Sequence, residues 1–437
     1  MFRTKNMKLT LLTVLLLVSL TSLTALPTDL HAAGPDLSKI TSRSDLDTVI
    51  AATPDAGLKQ ALADHAAAIL AAAEQHPHVE AVIRTIENSP GKFTKINTTP
   101  EALKKAIGGD IPLFDTLTLV STAILNAKGH QHRTTDTDPY DGVFVEHLGH
   151  IKSLENVSVI LTSLEGAWLT PLFKLENLQT LLVEKAGGPA NLGDDVLARL
   201  GQLSRLPKLK SLSLHGFKAS DAGLEHLAGI KTLEYLSFHA SVPGHAFAKF
   251  DGWANLKSIR FHGNTIDDEG LAAICQQFPN LESLNLIHAS ALTDSSGPHL
   301  RKLEKLKNLA ITDGPKMTAA WLENVRGLPL EWLLVNKGPA TPPTDAIATI
   351  RDIPSLRRLS IDGTRFTDAD LESLACATQI EQLTIGGLTL SDARLATLQR
   401  FSHLKKLEVP QAGVAPYPDA EAKLKALLPK AEVKVGR

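Results

Sequence analysis

Cysteine is almost missing from this chain, with Cys275 and Cys376 the only two in 437 residues. That excludes a disulfide framework as the source of stability, and a zinc site of the Cys-x-x-Cys kind with it. Aromatic residues make up only 5% of the chain, too few to supply stacking platforms for single-stranded nucleic acid. Neither sign of charge is in excess: 45 Lys and Arg against 47 Asp and Glu give a formal net charge of −2. Without a basic surface or a Lys/Arg block, nucleic acid is not an expected partner. Also missing are a Gly-x-Ser-x-Gly elbow, a phosphate-cradling loop with its Lys, and a His-Glu-x-x-His helix. The common hydrolase and nucleotide chemistries therefore have no motif to stand on, and no catalytic residue, enzymatic activity or cofactor is expected.

Apolar residues are not scarce. They form 43% of the chain, enough to bury a core. The first long run of them is N-terminal: Arg3, Lys5 and Lys8 precede an apolar stretch over 9–26, Pro27 ends it, and Ala32 and Ala33 follow. This is the layout of a secretory signal over 1–33, cleaved after Ala32 or Ala33. An uncleaved single-span anchor is the alternative, because a spanning helix needs about 20 apolar residues. Either way the remainder is expected outside the cytoplasm, secreted, periplasmic or exposed on the cell envelope, with no membrane contact beyond that anchor.

The other apolar residues recur in a pattern. Leu-x-x-Leu-x-Leu spacing appears as Leu209-Leu212-Leu214, Leu233-Leu236-Phe238, Leu256-Ile259-Phe261, Leu281-Leu284-Leu286, Leu306-Leu309-Ile311, Leu330-Leu333-Val335, Leu356-Leu359-Ile361, Ile380-Leu383-Ile385 and Leu404-Leu407-Val409. Looser copies stand upstream at Phe114-Leu117-Leu119, Leu154-Val157-Val159 and Leu178-Leu181-Val183. From Leu209 onward the copies step by 23 to 26 residues. The fourth and sixth positions of each copy share one face of a short strand, and the residues between them share the other. A second apolar pattern at helical spacing follows many strands, as in Leu224-Leu227 and Leu371-Leu374. Helix starts are marked by Ser220-Asp221, Asp267-Asp268, Thr293-Asp294, Thr367-Asp368 and Ser391-Asp392, whose side chains suit unpaired amides and the positive helix end. One such unit cannot bury both its strand and its helix; a stack can.

These residues resemble the leucine-rich-repeat family, in its ribonuclease-inhibitor-like and cysteine-containing subclasses and of a bacterial exported type. The stretch ASDAGLEHLAGIKTLEYLSF at 219–238 follows that pattern closely. The resemblance implies an α/β leucine-rich-repeat solenoid over 111–437, about twelve repeats and a C-terminal cap, with a curved parallel sheet inside and helices outside. It also implies binding of a protein or peptide. The Asn or Cys that usually follows the strand varies here. Residues 34–110 read instead as a helical N-terminal cap, with helices over 56–74 and 79–87 separated by His76-Pro77-His78, and another starting at Thr99-Pro100-Glu101. An independent partner domain is the alternative reading of that block. Three units are lengthened, over 128–141, 184–195 and 336–345, and such loops emerge on one rim. The two thiols are expected to be unpaired and buried, since repeats that far apart cannot meet.

The residue after each motif should lie on the open side of the sheet. In three consecutive repeats it is His215, His239 and His262, and His288 comes one place later in the next. Strands stand about 4.8 Å apart, so these imidazoles form a ladder. A ligand-contacting row, a metal site and a plain polar ladder are the three readings, and no metal is expected because Ser213, Ser237 and Arg260 offer no acidic partner. A row of ordinary histidines would become charged between pH 8 and 5. Tyr235, Trp332 and Leu334 fall on the same face, as interface anchors or as residues covered by a neighbouring loop. The second motif position alternates in sign through nine repeats, from Lys210 and Glu234 to Glu381 and Lys405, which fits a role in register.

The reading that results is an exported, monomeric, non-catalytic scaffold for a protein, peptide or glycan, with His215, Tyr235, His239, Arg260, His262, His288, Trp332 and Leu334 as the ligand-binding candidates. Two alternatives belong to other classes. One is substrate recognition in an F-box-type ubiquitin ligase, which the signal sequence opposes. The other is a hydrolase working through the histidine row.

Overall fold

The computed structural model describes residues 35–436, apart from 90, 123, 126–130, 133–139, 163, 187–191, 264, 337–342 and 411–416. The signal segment and much of the three lengthened loops lie outside the described residues.

One sheet runs through the molecule. Its strands are β1 (Lys92–Asn97), β2 (Asp115–Ser121), β3 (Asn156–Leu161), β4 (Thr180–Lys185), β5 (Ser211–His215), β6 (Tyr235–His239) and β7 (Ser258–His262). β8 (Ser283–Ile287), β9 (Asn308–Thr312), β10 (Trp332–Asn336), β11 (Arg358–Asp362), β12 (Gln382–Gly386), β13 (Lys406–Pro410) and β14 (Glu432–Gly436) complete it. Their order in the sheet is their order in the chain. β2 to β14 pair in parallel, and β1 alone runs antiparallel, against β2.

The repeated leucines set this register. Leu212, Leu236, Ile259, Leu284, Leu309, Leu333, Leu359, Leu383, Leu407 and Val433 stand side by side across ten strands, and none is more than 2% exposed. Burying each is worth about 1.5–3 kcal/mol. A one-residue slip would turn a whole strand's set outward, so the stack holds itself in step. The sign-alternating residues add less. Glu234 lies 3.1 Å from Lys210 and 2.9 Å from Lys257, and Lys307 pairs with Glu282 and Lys405 with Glu381. Exposed pairs of this kind trim a register that burial has fixed.

On the far side, all five expected helix starts are N-caps: Ser220, Asp267, Thr293, Thr367 and Ser391 each accept a bond from a first-turn amide. The acidic residue after the cap does a second thing. Asp194 accepts from the backbone N–H and hydroxyl of Ser220, Asp268 from those of Thr293, and Asp294 from those of Thr318. Each repeat's carboxylate thus holds the cap of the next.

The structure corrects the sequence reading in four places. The first copy is not Phe114-Leu117-Leu119. In the pairing of β2 with β3 it is Val120 that meets Val157, so the unit reads Leu117-Val120-Thr122; against β1 the same strand bulges at Thr118. Thr122 is buried at the sixth position because its hydroxyl exchanges hydrogen bonds with the backbone of Ile160. The leading block is not purely helical, since β1 belongs to it. Its helices are α1 (Arg43–Ala52), α2 (Ala56–Asp64), α3 (Ala66–Glu87) and α4 (Glu101–Ile107). The interruption falls at His65 and not at His76-Pro77-His78: α3 runs through Pro77, which is exposed, while Val79, Val82 and Ile86 continue its buried stripe. Losing one amide bond on a solvent-facing side is outweighed by that packing. Last, Cys275 is buried but Cys376 is exposed. The helix Asp368–Leu374 stops before Cys376, and it is Ala375 and Ala377 that turn inward. Neither thiol is paired.

The α3 helix also seals the first repeat. Gln75 accepts from the Lys152 amide and donates to Thr116, at 2.8 Å each. The lower half of α3, with Leu37, Leu46 and Leu103, forms a small core of its own, while Val79 and Val82 join the main one.

Candidate binding face

Strand alternation puts every candidate except His288, which follows its strand, on the open face of the sheet, away from the core. His215, His239 and His262 are in register at the ends of β5, β6 and β7. His288 follows β8 in a left-handed conformation with φ of 62°. The row is continuous, with ring centroids 6.1, 4.5 and 5.3 Å apart from one imidazole to the next and near-perpendicular planes.

At its centre His262 Nδ1 lies 3.2 Å from His239 Nε2. One of those nitrogens carries a proton and the other offers a lone pair, so a neutral pair is satisfied without solvent. Burial within the row, and then the neighbouring His239, pushes His262 down to about 4. Burial and then His215 lower His239 as well. The expected charging of the whole row by pH 5 is therefore corrected: His262 stays neutral through that range. The ends of the row are different. His215 Nδ1 lies 3.4 Å from a Glu184 oxygen and its Nε2 3.3 Å from Ser237 Oγ, while His288 Nδ1 lies 2.5 Å from Asp313 Oδ2. Acidic partners do exist, then. They sit beyond the two ends and not at the positions between the histidines.

Tyr235 and Arg260 flank the row. Tyr235 is half-buried beside Ser211 and Ser258, and Arg260 is exposed between Ser237 and Asn285. The Oδ1 of Asn285 is shielded from solvent and has no hydrogen-bond partner. Trp332 and Leu334 do not join this group. They stand on β10, three strands from β7, which is about 14 Å at the usual spacing. Trp332 lies in register between Asn308 and Arg358, and the Arg358 guanidinium reaches Asn308 Oδ1 at 3.5 Å, spanning the strand that carries the indole. Trp332 is half-buried; the 336–345 loop that was the expected cover lies mostly outside the described residues.

Thirteen parallel strands in unbroken chain order, each returned along a helix side and stacked on one apolar interior, decide the architecture. The chain folds as a leucine-rich-repeat solenoid. No family model matches it, and neither does any curated protein. Solved structures do. An internalin from Listeria monocytogenes is 18% identical over 62% of this chain and 71% of its own, with a TM-score of 0.43. Yeast Rad7, in a complex with Elc1, is 16% identical over 66% and 77%, at 0.48. A leucine-rich-repeat protein of Leptospira interrogans is 16% identical over 66% and 80%, at 0.39. Identities this low bear on the fold alone.

Two features of the solenoid escaped sequence reasoning. Glu184 is the residue after its own repeat's motif, one unit before His215, so the spacing that revealed the histidines could have revealed it. The second is a group of imidazoles where the cap meets the first repeat. His78 of α3 faces His147 of α5 (Gly142–Gly149), Nδ1 to Nδ1 at 2.8 Å, and stacks on His150 with centroids 4.0 Å apart. His147 and His150 stand three apart at the end of one helix, but nothing in the spacing brings the distant His78 to them. A cavity of about 400 Å³ opens along the same seam, lined in part by Gln75, Phe114, Glu146, His150 and Lys152.

Proposed function

We propose that this solenoid is a non-catalytic scaffold that binds a polypeptide or glycan across the open faces of β5 to β8, and that it works outside the cytoplasm. The observation that carries the reading is the unbroken row from Glu184 through four imidazoles to Asp313, with Tyr235 and Arg260 beside it. Neutral imidazoles present both donors and acceptors, as peptide groups and sugar hydroxyls require. A phosphate backbone requires clustered cations, and Arg260 is the only one among the open-face residues of these four strands. A hydrolase is the second reading, because Ser237 Oγ lies 3.3 Å from His215 Nε2 and Glu184 3.4 Å from His215 Nδ1; Ser237 is buried at 5% exposure, so its hydroxyl is not presented to a substrate as a nucleophile must be. The leader over 1–33 supports export.

The test is a pull-down from the surrounding compartment with full-length protein, run beside a Tyr235→Ala/His239→Ala variant and a Trp332→Ala variant. A ligand of this face is lost from the first variant and kept by the second. A ligand kept by both, or lost only with Trp332→Ala, overturns the reading.

A further inference from the structure

We propose that His239 and His262 form a binding site for a divalent transition-metal ion of the copper, nickel and zinc class. The inference goes beyond the scaffold reading and stands without it, because the ion is measured alone.

Three observations carry it. First, His262 Nδ1 and His239 Nε2 are 3.2 Å apart. An ion held tetrahedrally at about 2.0–2.1 Å from each nitrogen requires its ligands roughly 3.3 Å from each other. The pair already has ligand spacing, so the ion takes the place of the bridging proton, which moves to the other ring nitrogen of the donor imidazole, with little rearrangement of the strands. Second, the rings on either side of the pair are held in place by carboxylates, Glu184 on His215 Nδ1 and Asp313 on His288 Nδ1, so the walls of the site are fixed. His288 is the next ring, 5.3 Å by centroid from His262. Third, room is kept on the ligating side. Gly263 has φ of 67°, and a methyl group there would lie 3.2 Å from His239 Nε2.

Among the described residues no three His, Cys, Asp or Glu side chains converge on one point as they stand. The site therefore rests on two protein nitrogens and leaves positions open to water or to a donor from a ligand. Imidazole donors select copper, nickel and zinc over magnesium and calcium. The rival is the seam pair, His78 and His147, whose nitrogens are 2.8 Å apart.

Calorimetric titration of the full chain with Cu²⁺, Ni²⁺ and Zn²⁺ at neutral pH is expected to show one ion per chain, copper tightest. His239→Ala and His262→Ala should each weaken binding at least about tenfold, with His78→Ala unchanged. Electron paramagnetic resonance of the copper form should show two coupled nitrogens, falling to one in His262→Gln. Melting curves of the variants should show that they remain folded, since both positions are on the open face. Binding unchanged in both face variants, binding lost with His78→Ala, or no binding of any of the three ions overturns the proposal.

Discussion

His288 and Asp313 occupy the same place in adjacent repeats, both in the left-handed region with φ of 62° and 52°, and their side chains meet Nδ1 to Oδ2 at 2.5 Å. In three other repeats that place belongs to a left-handed glycine, Gly216, Gly263 and Gly387. A side chain held there signals a function or a compensating contact. Here the backbone is fixed as well, since the His288 amide donates to Thr312 Oγ1 and the Ala289 amide to the Thr312 carbonyl.

Conformation and ion pair can be separated at Asp313. Asp313→Ala loses the carboxylate and keeps a disfavoured backbone, so it should cost about 1 kcal/mol or more. Asp313→Gly loses the same carboxylate but relieves the backbone, and should come close to wild type, because a half-exposed pair contributes little. Urea midpoints at fixed slope measure both. Equal losses in the two variants would show that the pair, and not the backbone, matters.

Thr318 uses its hydroxyl in two directions. It accepts from the Ala320 amide at 3.1 Å and donates to Asp294 at 2.6 Å, while its own amide donates to Asp294 at 2.7 Å. The helix cap and the contact between repeats are one network. Asp294→Ala should cost about 1–2 kcal/mol, since it strands a half-buried amide and hydroxyl. Thr318→Val should cost a similar amount, and the double variant clearly less than the sum. Strict additivity in a double-mutant cycle would refute the network.

How far the sequence spoke for itself depended on whether a feature repeats. The stacked leucines, the five helix starts and the in-register His215, His239 and His262 were legible because each recurs at fixed phase. Thr122 was not: a polar residue at a core position hides the motif, and only the pairing of β2 with β3 reveals it. Pro77 misled because its usual effect on a helix was outweighed by the buried stripe on the opposite side. The partners Glu184 and Asp313 went unseen because only the positions between the histidines were searched, not the two ends of the row. At the seam, His78 and His150 are brought together by the docking of α3, a tertiary event with no period.

The lowered His262 makes a statement about acid stability. In the unfolded chain the ring protonates near pH 6.5, and in the fold only at about 4. Between those values the unfolded state binds the proton that the folded state refuses, so stability is full above the upper value and falls as the pH drops towards the lower one. His262→Gln removes this penalty. Its melting temperature relative to wild type should rise on going from pH 7 to pH 4.5, though by less than a fully buried group would give, because the ring is only partly shielded. Parallel curves for the two proteins over that interval would mean that the ring titrates as an ordinary histidine.

Because the Arg358 guanidinium reaches across the strand that carries Trp332, we expect it to shield the indole from a partner. The guanidinium spans β10 to reach Asn308, and at 3.5 Å that bond is weak. A partner with a carboxylate would draw the arginine aside and meet an indole beneath it. Arg358→Ala should therefore uncover Trp332. Of the other tryptophans, Trp253 and Trp321 are buried and Trp168 is half-buried in the first repeats, far along the sheet from β11. Emission should move to longer wavelength and acrylamide quenching should increase in Arg358→Ala. Both changes should disappear in the Arg358→Ala/Trp332→Phe double variant. If Arg358→Ala leaves emission and quenching as they were, the arginine is not the cover.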